Sequence, residues 1–345
     1  MRPILKPVDE YRVGDTLRLV RELGVWFDLD DADGGVAALL GQLDGTSTVE
    51  EIGARLAIDA APAIAALDDA GLLEDADAPH TLTADDHERY ASNLAFLSTF
   101  ASLTTSRYAL HARLRAARVV LLGVGGLGST LLLSLAGAGV GHLTLLDVDR
   151  VELRNLTRQF LYTEADVGRT KVHRAGARAL AVNPTLDIRT VERLVTCPED
   201  VAPLLEDADL VLCGIDRPRQ VRHWVSRACV AAGVPFLSGG MTVTKGVYFG
   251  FTPGRDGCME CWEAHAGPLD DARVRPPVNR AMGPMAAVVG GLVGVEALRV
   301  LTGFAPPVSM GRVWTVDFAT GETTVFDEWT RREDCPACGN AAAPR

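Results

Sequence analysis

The first residues lack the apolar run of a secretory signal, because Pro3, Pro7 and charged side chains interrupt Met1 to Arg12. Long hydrophobic runs are missing as well. The most apolar stretch, Met285 to Leu301, is short and glycine-rich and carries Glu296 and Arg299, so it reads as a buried helix and not a membrane span. Cysteine is scarce, seven in 345 residues, and the odd number argues against a disulfide framework. No internal repeat or low-complexity tract stands out, and a charged fraction of 23% is that of an ordinary globular chain and not a disordered one. The expectation is a soluble, cytoplasmic protein without a membrane partner, made of one large domain and a small one.

Charge is unevenly placed. The chain carries −11 overall, and residues 1–80 hold 17 acidic and 6 basic side chains, which is the whole of that excess. Such a segment repels a nucleic-acid backbone, so no nucleic-acid partner is expected. It suits a basic or neutral peptide, or simply a solubilising surface.

Residues 12–30 read as two short strands around Gly24. Helices follow at about 35–43, at 49–56 behind the capping-box pair Thr48 and Glu51, and at 62–70 with Gly71 placed to stop the last. This pattern predicts a small winged-helix-like α+β domain over residues 1–80. Residues 81–117 read as a linker and helical segment. From residue 118 to 345 strands and helices alternate, beginning with the continuous apolar run Val119–Leu122. The fold class expected is α/β: a Rossmann-like, mostly parallel sheet with helices on both faces.

Gly123, Gly125 and Gly128 satisfy G-x-G-x-x-G between the first strand and its helix, with Gly126 inside the loop. Backbone N–H groups there meet a pyrophosphate at a helix N-terminus. Asp147 ends the next strand, where an acid bonds ribose hydroxyls, and Asp149 follows it. Alone, this fits an NAD enzyme and an ATP enzyme equally. Arg158 and Lys171 discriminate: hydride transfer has no use for two extra cations, whereas adenylyl transfer builds negative charge on a leaving pyrophosphate. Each is otherwise a plain surface cation. Asp216 ends a later strand at the same sheet edge, as a Mg²⁺ ligand or as the N-cap of the next helix. Cys258-x-x-Cys261 and Cys335-x-x-Cys338 together supply four soft ligands, a set suited to a closed structural zinc site.

Gly-x-Gly-Gly-Leu-Gly, Leu-Leu-Asp-Val-Asp, Asn-Leu-Thr-Arg-Gln and Gly-Arg-Thr-Lys, taken together, resemble the ThiF/MoeB family, relatives of ubiquitin-activating enzymes, over roughly residues 89–339. The resemblance implies a dimeric, Rossmann-like adenylyltransferase, a nucleotidyltransferase acting on the C-terminal carboxylate of a small protein or peptide. It implies that Asp147 binds ribose, that Asn155, Arg158, Gln159 and Lys171 contact ATP phosphates, that Asp216 binds Mg²⁺, and that the four cysteines hold zinc.

Two departures bear on the substrate. Sulfur-transferring relatives carry a reactive cysteine in the crossover loop, and Val274–Arg280 has none here. The second is at Arg89-Tyr90-Ala91-Ser92, where Ser92 replaces an arginine that in relatives reaches the partner subunit's site. Leu43–Ile52 and Leu67–Leu73 resemble PqqD-like leader-recognition domains, which bind a leader peptide as an added strand; a domain serving only dimer packing is the plainer alternative. A module of that kind fused to an adenylating domain is similar to the MccB-type group, which modifies ribosomally made peptides. The function expected is ATP-dependent adenylation of a precursor-peptide carboxylate followed by attack of a nitrogen nucleophile, in antibiotic biosynthesis. The alternatives are adenylation of a sulfur carrier for cofactor biosynthesis and a non-catalytic leader-binding scaffold.

Overall fold

The computed structural model describes residues 1–267 and 281–339. Its contacts divide the chain into two units, Met1–Ala112 and Arg113–Arg345. In the first unit β1 (Pro3–Leu5), β2 (Asp9–Val13), β3 (Thr16–Glu22) and β4 (Val25–Asp30) precede the helices α1 (Gly35–Leu40), α2 (Val49–Leu56) and α3 (Ala61–Asp69). The strand β5 (Leu73–Asp75) and the helices α4 (Ala84–Arg89) and α5 (Ala91–Ser98) follow, and α6 (Arg107–Ala116) runs across the boundary at Ala112.

Leu17 and Leu19 of β3 face a core with Leu39, Leu40, Ile52, Ile64 and Leu67, while Arg18 between them pairs outward with Asp28 at 2.6 Å. That is the period-2 alternation of a half-buried strand. Thr48 and Glu51 form the reciprocal capping box at the start of α2. Gly71 sits just past the end of α3 with φ 72°. The strands beside Gly24 are β3 and β4, but the sheet has a third strand, β2, whose five residues are all exposed and therefore carry no alternating signal. The pair β1–β5, three residues each, is also too short to show a period.

The second unit contains β6 (Arg118–Leu122), α7 (Gly126–Ala138), β7 (His142–Leu146), α8 (Lys171–Val182), β8 (Asp187–Val191), β9 (Leu210–Cys213) and α9 (Val221–Ala232). After these come β10 (Phe236–Met241), β11 (Lys245–Phe251), α10 (Met259–Ala266), α11 (Gly283–Thr302), β12 (Arg312–Asp317) and β13 (Thr323–Glu328). One sheet has the order β13-β12-β11-β10-β9-β6-β7-β8. The five strands from β10 to β8 are parallel, and β11 to β13 add an antiparallel edge that the residue pattern does not announce. Val119 and Leu121 of β6 enter the core under α7, α8 and α11, and Val120 and Leu122 enter the one under α9 and α10. Burial on both faces explains why β6 is apolar throughout.

The predicted buried helix is α11. It is long and apolar enough to cross a membrane by length and composition, yet Gly290, Val293, Gly294, Glu296 and Ala297 are buried in the fold. Glu296 is 1% exposed. One carboxylate oxygen accepts from the Val308 and Ser309 amides, each at 2.8 Å, and from the Ser309 hydroxyl at 2.7 Å, and the other takes Arg299 at 2.6 Å. This buried acid fixes the chain's return from α11 into β12. Glu296→Ala orphans two amides and a guanidinium, so stability should fall by about 3 kcal/mol. Urea unfolding followed by tryptophan fluorescence checks this, and a loss below about 1 kcal/mol would contradict it.

Candidate active site

Consecutive strands run outward from β6 in opposite directions, β7 and β8 to one side, β9 and β10 to the other. The crevice beyond the C-terminal ends of the strands at such a reversal is where open α/β sheets bind ligands. A cavity of about 970 Å³ lies there. Six cations line it, Arg154, Arg158, Lys171, Arg193, Arg217 and Arg222, against four carboxylates, Asp147, Asp149, Glu152 and Asp216. The surplus of positive charge suits a polyphosphate.

The loop between β6 and α7 forms its floor. Gly123, at φ 88°, donates to the Leu146 carbonyl at 2.7 Å. Gly123, Gly125 and Gly126 line the cavity, and Gly128 does not. A Cβ on Gly128 would lie 2.0 Å from the Gly123 carbonyl oxygen, so this glycine lets the helix close onto the loop and makes no ligand surface. Asp147, 8% exposed, accepts from the Val124 amide at 2.9 Å and the Asp149 amide at 2.8 Å. Burial raises its pKa against these bonds. Both oxygens are thus already engaged in holding the loop, each with a lone pair left for a ligand. Tyr162 adds a hydrogen bond to the Val124 carbonyl at 2.8 Å.

Buried Lys171 pairs with the exposed Asp149 carboxylate at 2.8 Å. The side-chain carbonyl of Asn155 accepts from the Glu152 amide at 3.0 Å, and Gln159 Oε1 is buried without a hydrogen-bond partner. Arg158 donates to the Arg154 carbonyl at 3.2 Å. Burial and the neighbouring Arg154 hold its guanidinium below the ordinary pKa, with Asp216 acting the other way. That cation gains from an arriving anion. Asp216 is exposed and is not the N-cap of α9, which is Gln220. All the sequence-predicted nucleotide-site residues except Gly128 therefore meet in one cavity. Arg193 and Arg222 line it unforeseen, since an arginine after β8 and one at the start of a helix carry no motif of their own.

The four cysteines of the two Cys-x-x-Cys pairs are buried and their sulfurs lie within 4.8 Å of one another, with Cys258–Cys335 at 3.7 Å and Cys261–Cys338 at 3.4 Å. A tetrahedral Zn–S₄ centre places its sulfurs about 3.8 Å apart. Burial pushes the Cys258 thiol up and Cys261 to about 11, so bringing thiolates together here calls for a metal cation. The set lies under α10 and the C-terminal strands, away from the residues that line the cavity. Cys197 is different: its hydrogen bond with Glu199, then burial, push the thiol's pKa up, and it does not line the cavity. The cysteine-free crossover segment, Val274–Arg280, lies outside the described residues.

The ThiF family model matches residues 95–337. The chain belongs to the ThiF family. Among curated ThiF-type relatives, the molybdopterin-synthase adenylyltransferase of Escherichia coli (strain K12) is 36% identical over 228 residues, 66% of this chain and 88% of the relative. The sulfur carrier protein ThiS adenylyltransferase of the same organism is 32% identical over 237 residues, 66% and 87% of the two chains. Solved structures match over nearly the whole length. E. coli MccB with ATP superposes with a TM-score of 0.81 at 22% identity, covering 98% of this chain and 100% of the other. PaaA gives 0.75 at 20%, covering 94% and 99%. At those identities the likeness establishes the fold.

This ThiF-family chain is an ATP-dependent adenylyltransferase. Adenylation needs a carboxylate held in line with the α-phosphorus and a leaving pyrophosphate whose growing charge is met by fixed cations. Fixed N–H groups of the glycine loop and the cations of the cavity are the parts of this site suited to that task. Gly128→Ala should push the loop off the Gly123 carbonyl, costing about 1–3 kcal/mol of stability and about tenfold in ATP affinity. Titration calorimetry with ATP checks it, and an unchanged affinity would contradict this role for the loop.

Proposed function

We propose that the enzyme adenylates the C-terminal carboxylate of a ribosomally made precursor peptide, captured by the unit that precedes the adenylating domain. A nitrogen nucleophile then attacks the acyl-adenylate, in the making of a peptide natural product of the antibiotic kind. The observation that carries this reading is one of coverage. The sulfur-carrier relatives account for 66% of the chain, whereas MccB, solved in complex with N-formylated MccA, matches 98% of it, first unit included. The acidic character of residues 1–80 and the absence of cysteine from Val274–Arg280 support the same choice.

In this reading Asp147 holds the ribose, Asn155, Arg158, Gln159 and Lys171 hold the phosphates, and Asp216 carries Mg²⁺ against them. Zinc in the four-cysteine cluster ties residues 335–338 to the start of α10 without taking part in chemistry. A homodimer is part of the proposal, supported by Val288 and Val295, exposed on one face of α11. So is a reducing, cytoplasmic setting, in which four clustered thiols stay unpaired.

Adenylation of a sulfur carrier is the second reading, favoured by the 36% and 32% identities. ATP–pyrophosphate exchange separates the two. Exchange should depend on a precursor peptide and not on a sulfur-carrier protein, and the reverse dependence would overturn the proposal. Asp216→Ala should lower peptide-dependent exchange by at least about a hundredfold while leaving peptide binding intact; unchanged exchange would remove the metal role. Metal analysis of the purified protein should return one zinc per chain, lost in Cys335→Ser, and a chain without zinc would contradict the zinc assignment.

A further inference from the structure

The strand order divides the cavity by what each end is made of. On the β7–β8 side it is lined by Leu146–Asp149 and Arg193–Val195, the side of the acid expected at ribose. On the β9–β10 side, beyond Asp216 and Arg217 that follow β9, it is lined by Gly239, Gly240, Met241, Thr242 and Val247, small or apolar groups, with the cation Arg222 beside them. With the nucleotide's phosphates over the glycine loop between the two, the β9–β10 side is the space left for the acyl group.

Arg222 stands in the first turn of α9. Its Nη2 donates to the Gly239 carbonyl at 3.0 Å, and the guanidinium lies 5.8 Å from the Phe249 ring centre. These two contacts fix the plane of the group and use one of its five N–H donors. Its Nε is buried with no hydrogen-bond partner. Among the described residues no carboxylate pairs with it, in contrast to Lys171 on Asp149. Gly240 leaves the guanidinium open: a Cβ there would sit 3.1 Å from Nη2. A fixed cation with unused donors, beside a residue without a side chain, at the apolar end of a nucleotide cavity, is built to receive an oxygen that the nucleotide does not supply.

We propose that Arg222 is the acyl-side specificity residue: it donates to the main-chain carbonyl that precedes the activated carboxylate, and so selects a peptide end over a simple carboxylic acid. A neutral amide oxygen suits this place better than the carboxylate, since a guanidinium bound directly to the attacking oxygens would blunt their nucleophilicity. The inference rests on the peptide reading above and deepens it.

The test uses two hydrolysis-resistant acyl-adenylate mimics, 5′-O-(N-acetylglycyl-sulfamoyl)adenosine, which has the preceding amide, and 5′-O-(acetylsulfamoyl)adenosine, which has none. The intact enzyme should bind the first about tenfold more tightly, as expected of one charge-assisted hydrogen bond. Arg222→Met should bring the two affinities within about twofold of each other. Arg222→Lys, which keeps the charge and loses the fixed fork, should recover only part of the preference. If the intact enzyme shows no preference, the peptide reading fails. If it shows the preference and both variants keep it, the role of Arg222 fails. If Arg222→Met is unstable, Arg222→Lys decides alone, and a full preference in it overturns the assignment.

Discussion

A single buried carboxylate ties together the ends of two strands. Asp147 accepts from the Val124 amide in the glycine loop and from the Asp149 amide just past β7. Such bonds to an ionised acceptor contribute roughly 1.5–3 kcal/mol each, and here they work against a desolvation that raises the carboxyl's pKa. The rest of the phosphate site depends on them. The loop presents its amides upward only while Val124 is held, and Lys171 reaches the cavity only while Asp149 is held in place to pair with it. Tyr162 closes the same knot from below through the Val124 carbonyl. The phosphate floor and the cation beside it are thus one hydrogen-bonded assembly and not separate devices.

This assembly explains how much was legible in the residues. The β6–loop–α7 segment reads directly because glycine spacing and strand burial are both local. Gly128 shows the limit of such reading: the motif gives it the rank of Gly123, yet its task is to let α7 close on the Gly123 carbonyl. Asp147 was legible as an acid at a strand end, but its grip on the loop is a contact across 23 residues that no spacing rule contains. Arg222 was illegible for a similar reason. It stands in a helix, and only the pairing of β10 with β9 brings Gly239 and the cavity to it.

The same division holds for the fold. Strands buried on two faces announce themselves by continuous apolar runs, and β3 does so by alternation. Strand β2, wholly exposed, and β13, exposed over most of its length, carry no such pattern and exist because a neighbour offers hydrogen bonds. The four cysteines were readable as ligands because two thiols at that spacing share a turn. Spacing alone does not reveal that the pairs, one at the start of α10 and one after β13, converge to within 4.8 Å.

The chemistry comes down to which oxygen attacks which phosphorus. The direct measurement is isotopic: a precursor peptide carrying ¹⁸O in its C-terminal carboxylate is turned over with unlabelled ATP, and the released AMP is weighed by mass spectrometry. Attack of that carboxylate on the α-phosphorus, followed by displacement at the acyl carbon, leaves one ¹⁸O in AMP. AMP free of label, with product still formed, would contradict the claim that this site activates a peptide carboxylate as its adenylate.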